Sequence, residues 1–113
     1  MRGLNHPTRD SITLTTVLAA LSDPVRLDVV RQLAASGGVV CGQFDALEQV
    51  SMSTLSHHLK VLREAGVIRV ERRGSFRQHE LRHDDLEELF PGVLRGVVAT
   101  FGLSLPDLAQ TTR

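Results

Sequence analysis

The sequence predicts a mainly α-helical domain that carries one small β-hairpin. Three observations lead to this fold class. Apolar residues recur at helical spacing in several segments, two β-compatible runs flank Arg73-Gly74-Ser75, and a length of 113 residues suits one domain. We therefore expect one folded domain over residues 12–101, between a flexible N-terminal arm at 1–11 and a weakly patterned tail at 102–113.

Two helices are expected in the first third of the chain. Apolar residues at helical spacing run through 12–21, and Ser22-Asp23-Pro24 then predicts the start of a second helix. A Ser or Asp side chain caps free backbone N–H groups, and Pro is tolerated in the first helical turn. Gly37-Gly38 ends this helix, and Val39-Val40-Cys41 is long enough for a single edge strand only.

Two further helices and the hairpin follow. Residues 43–50 fit a short helix, and 52–65 fit a longer one that ends at Gly66. Residues 67–72 and 76–81 then form the two hairpin strands. A short helix, a tight turn and a longer helix, followed by a basic hairpin, describe a winged helix-turn-helix, in which the longer helix reads DNA.

The longer helix has two different faces. On a helical wheel Leu55, Leu59 and Leu62 lie together and face the core. The opposite face is small and polar, as a helix that enters a DNA groove requires. An ordinary amphipathic surface helix would show the same periodicity, so this alternative stays open. His58 lies beside the leucines, where we expect it to pack or hydrogen-bond within the protein.

Basic side chains are concentrated in residues 51–82, although the net charge of the chain is zero. That segment holds seven Lys and Arg residues against three acids, so it carries +4 and the remainder −4. The arginines around Gly74-Ser75 suit phosphate contacts or a minor groove, whereas a hairpin that only avoids aggregation would also be charged. The expected DNA contacts are Ser53, Thr54, Ser56, His57 and Lys60 in the helix, and Arg72, Arg73, Ser75 and Arg77 in the hairpin.

Residues 84–101 form a further amphipathic pattern, which Pro91 should kink or interrupt. Apolar residues in this segment exceed what a small domain buries alone. The surplus therefore predicts a homodimer.

The second helix and the reading helix resemble the ArsR/SmtB family of dimeric bacterial repressors. Leu21-Ser22-Asp23-Pro24-Val25-Arg26 is similar to the family's Leu-x-Asp-Pro-x-Arg opening. Residues 53–68, which read Ser-Thr-Leu-Ser-His-His-Leu-Lys-Val-Leu-Arg-Glu-Ala-Gly-Val-Ile, are similar to its Ser-x-His-Leu-x-x-Leu-x-x-Ala-Gly-Leu-Val signature. Arg72-Arg73-Gly74 matches its basic wing, and the resemblance covers residues 12–101.

The resemblance implies a sequence-specific transcriptional regulator. Such a protein binds a palindromic operator in double-stranded DNA as a homodimer, and represses until a signal releases it. The resemblance also implies that the first and last helices form the dimer interface. The expected interface residues are Leu14, Val17, Leu18, Leu86, Leu89, Phe90, Leu94, Val97, Val98 and Phe101.

Many members of that family sense metals, but both of their ligand sets are incomplete in this chain. The thiolate site uses a Cys-x-Cys pair, and here the sequence is Cys41-Gly42-Gln43. The interfacial site ends in His-x-x-His or His-x-x-Glu, and residues 93–101 contain no such ligand. His83 and Glu87 stand four apart and could bind zinc, although a solvated helix start has the same residues. We expect no metal and no other cofactor.

Cys41 is the one cysteine of the chain. It could oxidise to a sulfenic acid or bridge two subunits, which would make the protein a redox-sensing repressor, or it could pack as a small hydrophobe.

The sequence contains weaker signals for an enzyme, a protein–protein interaction module or a membrane protein. No Ser/His/Asp order, glycine-rich phosphate loop or metal triad is recognisable, so we expect no enzyme. A winged-helix module for protein–protein contact remains the alternative class, and it would show an acidic or apolar reading face. No apolar stretch approaches the roughly 20 residues that span a bilayer, and residues 1–10 do not form a secretory signal, so we expect a cytoplasmic protein without a membrane partner.

Overall fold

A computed structural model describes residues 5–37, 39–41 and 50–104. A short 3-10 helix, Arg9–Ser11, precedes the regular elements. The described helices are α1 (Leu14–Ala20), α2 (Pro24–Ala35), α3 (Met52–Ala65), α4 (His83–Leu89) and α5 (Val93–Ala99), and the described strands are β1 (Val39–Cys41), β2 (Ile68–Arg73) and β3 (Phe76–Leu81). This architecture is a winged helix-turn-helix, as predicted. Within the described residues, no helix is long and apolar enough to cross a membrane.

Local capping signals fix where α2 and α3 begin. The Asp23 carboxylate accepts hydrogen bonds from the backbone N–H groups of Val25 and Arg26, at 2.8 and 3.0 Å. The Ser51 hydroxyl accepts one from the Thr54 N–H at 3.2 Å. Each bond satisfies an N–H group that has no partner inside the helix, which is why these residues are favoured at helix starts.

Gly66 ends α3 as predicted. Its φ of 89° lies in the left-handed region, where a residue with a side chain is strained. A Cβ atom at this position would also lie 2.6 Å from the Ile12 side chain, which is buried against the turn. The helix predicted over 43–50 lies outside the described residues, except for Val50.

The three described strands form one antiparallel sheet in the order β1-β3-β2. The short strand predicted at 39–41 is therefore confirmed as an edge strand, and β2 forms the other edge. Gly74 turns the hairpin with a φ of 65°. Along the hairpin Val70 is buried near its base, while residues 71–77 are exposed, so the outer end projects into solvent.

Pro91 interrupts the last amphipathic segment, as predicted, and divides it into α4 and α5. Gly92 adopts a φ of 88° at this break. The two Glu87 carboxylate oxygens accept hydrogen bonds from the backbone N–H groups of Gly92 and Arg95, each at 3.3 Å. Glu87 thus stabilises the start of α5, and α5 turns back to pack against α2.

This packing buries part of the predicted dimer interface within one chain, and the interface itself stays a prediction. Four of its residues lie in the core of the single chain, each no more than 2% exposed: Val17, Leu86, Leu94 and Val98. The break at Pro91 allows both short C-terminal helices to bury their apolar sides within the chain. Of the predicted set, Leu14 and Leu18 are exposed, and Leu89, Phe90, Val97 and Phe101 are half-buried.

Residues 5–11, predicted from the sequence to be part of a flexible arm, are hydrogen-bonded to the domain in this structure. Arg63 Nε donates to the Asn5 carbonyl at 3.0 Å, and Arg82 Nη1 donates to the Pro7 carbonyl at 2.8 Å. The backbone N–H of Val70, on edge strand β2, donates to His6 Nε2 at 3.0 Å. These bonds hold the segment against α3, β2 and the start of α4.

Arginines surround the Asp85 carboxylate where this segment meets α4. Arg9 Nε and Arg82 Nε each lie 2.9 Å from it, and Arg69 lies 3.4 Å away. Burial alone would raise the pKa of Asp85, but the hydrogen bonds and charges of Arg9 and Arg82 outweigh burial and lower it. An ionised Asp85 therefore joins the N-terminal segment, the base of the hairpin and α4.

Candidate nucleic-acid interface

The outward face of α3 is small, polar and accessible. The five residues predicted here as DNA contacts are all exposed: Ser53, Thr54, Ser56, His57 and Lys60. On the opposite side Leu62 is fully buried, and Leu55 and Leu59 are half-buried against the core. The orientation predicted from the helical wheel is confirmed, while DNA contact by these residues stays a prediction.

The first turn of α3 concentrates hydroxyl groups. Ser51 Oγ lies 3.3 Å from Ser53 Oγ and donates to Thr54 Oγ1 at 3.0 Å. The first backbone N–H groups of a helix carry partial positive charge, which favours a nearby phosphate. Met52, the first residue of the helix, is 68% exposed beside these hydroxyls. This end of α3 therefore offers hydrogen-bonding groups and one apolar side chain to a groove.

His58 connects α3 to the rest of the domain. Arg26 Nη1 lies 3.0 Å from His58 Nδ1, and Arg26 Nε donates to the Ala20 carbonyl at 2.6 Å. Since a guanidinium group can only donate, Nδ1 accepts, and the ring proton is on Nε2. The His58 side chain is 13% exposed, so it packs and hydrogen-bonds inside the protein, as predicted.

Asp23 completes this connection. Its carboxylate caps α2 and lies 3.8 Å from His58 Nδ1. Burial would raise the pKa of Asp23, but the hydrogen bonds from the Arg26 and Val25 N–H groups and the charge of Arg26 outweigh burial and lower it. The start of α2 and the middle of α3 therefore share one charged, hydrogen-bonded group.

The four predicted hairpin contacts also lie together, but they are not equivalent. Arg72, Arg73, Ser75 and Arg77 are all exposed at the outer end. Arg73 forms an ion pair with Glu71, whose carboxylate lies 2.8 Å away. Arg72 lies directly opposite Arg77 across the strands, and in the described part of the chain no acidic side chain lies within 4.0 Å of either. Two like charges in that position repel each other, so they favour an anionic partner.

Three contributors to this surface were missed from the sequence. Met52 and Phe76 are exposed apolar residues, 68% and 58%, at the ends of α3 and of the hairpin. Glu71 partly neutralises Arg73. Alternation along the strands would have placed Glu71 and Arg73 on one face, because they are two residues apart.

The structure bears on the metal hypothesis but not on the redox hypothesis. In the described ranges, no group of three or more His, Cys, Asp or Glu side chains could hold a metal ion. Glu87, considered with His83 as a zinc ligand, accepts hydrogen bonds from the backbone N–H groups of Gly92 and Arg95. Cys41 belongs to β1, but its side chain lies outside the described part, so its redox role stays untested.

Comparisons with known proteins agree with the helix-turn-helix assignment. A family model described as a helix-turn-helix domain matches residues 21–71, which include α2, α3 and the start of the hairpin. The arsenical resistance operon repressor of Staphylococcus xylosus is 36% identical over 76 residues, 66% of this chain and 70% of that protein. The arsenic resistance transcriptional regulator ArsR1 of Pseudomonas putida is 33% identical over 91 residues, 80% of this chain and 70% of the regulator. The transcriptional repressor SmtB of Mycobacterium tuberculosis is 45% identical over 58 residues, 51% of this chain and 42% of the repressor.

Proposed function

The chain belongs to the ArsR/SmtB family of helix-turn-helix transcriptional repressors, and on that basis we propose that it binds a palindromic operator as a homodimer and represses transcription until a signal releases it. The observation that carries the proposal is the outward face of α3, which over residues 52–60 exposes only small polar, imidazole and ammonium groups apart from Met52. Such a face can approach base edges without steric obstruction.

The hairpin supports a second set of contacts. Its outer end carries three exposed arginines against one glutamate, and guanidinium groups bind phosphate oxygens well. The helix and the hairpin thus make different contacts. Helix α3 reads the bases, and Arg72 and Arg77 bind the phosphate backbone of the DNA. A module for protein–protein contact would instead expose an acidic or continuous apolar reading face, and α3 has neither.

The homodimer explains the exposed apolar pair on α1. Leu14 and Leu18 stand four residues apart, so their side chains lie on one face of the helix, 39% and 47% exposed. Half-buried residues of α4 and α5 extend the apolar surface available to a second copy. A two-fold dimer presents two reading helices, which is why the operator should be a palindrome.

The releasing signal should not be arsenite bound by a pair of thiolates. Cys41 is the one cysteine in the chain, and Gln43 stands where the second thiolate would be. A single thiolate per subunit lacks the soft ligands that such a site needs.

Selection of bound DNA tests the proposal directly. Fragments of the genome that encodes the protein are incubated with purified full chain, and the retained fragments are sequenced and retested by gel shift at several salt concentrations. We expect enrichment of an inverted repeat whose half-site centres lie about one helical turn, or a multiple of it, apart. Binding to all fragments alike, or to none at low salt, would contradict the proposal.

A further inference from the structure

Phe76 is an exposed aromatic residue at the end of the hairpin. In the described residues, four large apolar side chains are exposed: Leu14 and Leu18 on α1, Met52 at the start of α3, and Phe76. Phe76 is the first residue of β3, two positions after the turning residue Gly74, and it is 58% exposed. A hairpin whose end served only solubility would gain nothing from this side chain, because exposed apolar surface costs free energy in water.

The pairing of the strands gives the hairpin end two different faces. Residues directly opposite each other in an antiparallel pair lie on the same face, and neighbours along a strand alternate. Arg72 and Arg77 therefore share the face that nearer the base holds buried Val70. Phe76 lies on the other face, opposite Arg73. The end of the hairpin thus presents the Arg72 and Arg77 guanidinium groups on one side, and one aromatic ring with a paired arginine on the other.

The arginines at the end of the hairpin indicate what kind of partner would cover the Phe76 ring. A second hairpin end from another copy of the chain would bring like charges together, three arginines against one glutamate on each. The partner should therefore be anionic and still offer an apolar surface within reach of one ring. A DNA minor groove has this chemistry: two phosphate walls about 6 Å apart, with deoxyribose and base edges between them.

We propose that Phe76 enters the minor groove beside each half-site and packs on deoxyribose and base edges, while Arg72 and Arg77 bind the phosphates of one wall. This inference rests on the proposed function, because it assigns a second, apolar DNA contact to the same protein. It predicts that the hairpin contributes a part of the affinity that salt does not screen, in addition to its charge contacts.

The test compares three variants on the duplex enriched in the fragment selection: Phe76→Ala, Phe76→Leu and Arg77→Ala. Affinity is measured by titration at several salt concentrations. We expect Phe76→Ala to weaken binding about tenfold at every salt concentration, with the slope of log affinity against log salt unchanged. Phe76→Leu should retain most of the affinity, and Arg77→Ala should flatten the slope by about 0.9 for each phosphate that the variant no longer binds.

Hydroxyl-radical footprinting and sedimentation show whether Phe76 contacts the minor groove or another copy of the chain. Hydroxyl radicals attack deoxyribose in the minor groove, so Phe76→Ala should lose protection at sites flanking the half-sites and keep protection at the half-sites. Wild-type affinity and footprint in Phe76→Ala would overturn the inference while leaving the proposed function intact. A change in sedimenting mass without a change in footprint would overturn it too, because Phe76 would then contact another chain. If the wild-type protein enriched no duplex at all, that result would instead contradict the proposed function itself.

Discussion

Arg26 Nη1 lies 3.0 Å from His58 Nδ1, and this contact joins the first turn of α2 to the middle of α3. The same guanidinium group binds the Ala20 carbonyl at the end of α1. Three helices therefore meet at one arginine, and the position of α3 on the domain depends on it. His57, the neighbouring residue, is exposed, and the centroid of its ring lies 5.7 Å from that of the His58 ring.

We expect Arg26→Ala and His58→Ala to be energetically coupled. A hydrogen bond to a charged group contributes about 1.5–3 kcal/mol, and residues in direct contact show coupling of about 0.5–3 kcal/mol. Urea unfolding of both single variants and of the double variant gives this coupling. His57→Ala is the matched control: it removes a ring beside His58 but leaves the Arg26–His58 contact in place, so it should lower the free energy of unfolding far less than His58→Ala. Additive effects of the two substitutions would show that the contact does not stabilise α3.

Asp85→Asn should destabilise the fold in a pH-dependent way. The substitution removes the anion between Arg9, Arg69 and buried Arg82, and breaking a buried ion pair costs about 3 kcal/mol. The pKa of Asp85 is lowered in the folded protein, so its contribution is complete above the unfolded-state value of about 4 and is lost as pH falls through the lowered pKa.

Urea unfolding at pH 7 and at successively lower pH measures this effect. The difference in unfolding free energy between wild type and Asp85→Asn should be largest at pH 7 and should shrink below about pH 4. Asp84→Asn, at the exposed neighbouring position, is the control and should behave like wild type. A difference that stays constant down to about pH 2 would contradict an ionised Asp85 in the folded state.

Gly66→Ala should be destabilising, whereas Gly96→Ala should not. Gly66 has a φ of 89°, and a new Cβ would meet Ile12 at 2.6 Å, so strain of about 1–3 kcal/mol adds to a steric clash. Gly96 lies within α5 with open space around it, where alanine gains up to about 1 kcal/mol of helix propensity. Thermal unfolding of both variants measures the contrast. Equal midpoints would mean that the turn after α3 adapts without cost.

Predictions from local signals were accurate, and α3 shows why. Ser51 and Gly66 both act within a few residues, so the helix begins and ends where the sequence predicted. The docking of residues 5–11 uses partners far along the chain: Arg63 and Asn5 are 58 positions apart, and Arg82 and Pro7 are 75 apart. Hydrogen bonds from side chains to such distant carbonyls leave no periodic pattern that a sequence could reveal.

The predicted dimer surface shows a second limit of prediction from the sequence. Helical spacing identified Leu86, Leu94 and Val98 as residues that must be buried, and they are buried. The spacing does not show whether the covering surface belongs to the same chain or to another. The break at Pro91 decided this point, because two short helices can fold back where one long helix would project.

Leu18→Glu should dissociate the proposed dimer. The substitution places a charge beside Leu14 on the exposed apolar face of α1, and burying an unpaired charge in an interface is costly. Sedimentation at micromolar concentration should give about twice the 12.4 kDa chain mass for wild type and the single-chain mass for the variant. Ala19→Glu adds the same charge to an exposed position about 120° around α1 from this face, and should remain dimeric. A monomeric wild type would contradict the dimer.

Titration of wild type and His57→Ala against the selected duplex and a scrambled duplex tests most directly whether α3 reads DNA. His57 is exposed on the outward face of α3, where removing a hydrogen bond to a base costs about 1–3 kcal/mol on the cognate site alone. We expect about 5- to 150-fold weaker binding of the selected duplex, with nearly unchanged binding of the scrambled one. Wild-type affinity for the selected duplex in His57→Ala, or an equal reduction on both duplexes, would contradict the assignment of α3 as the reading helix.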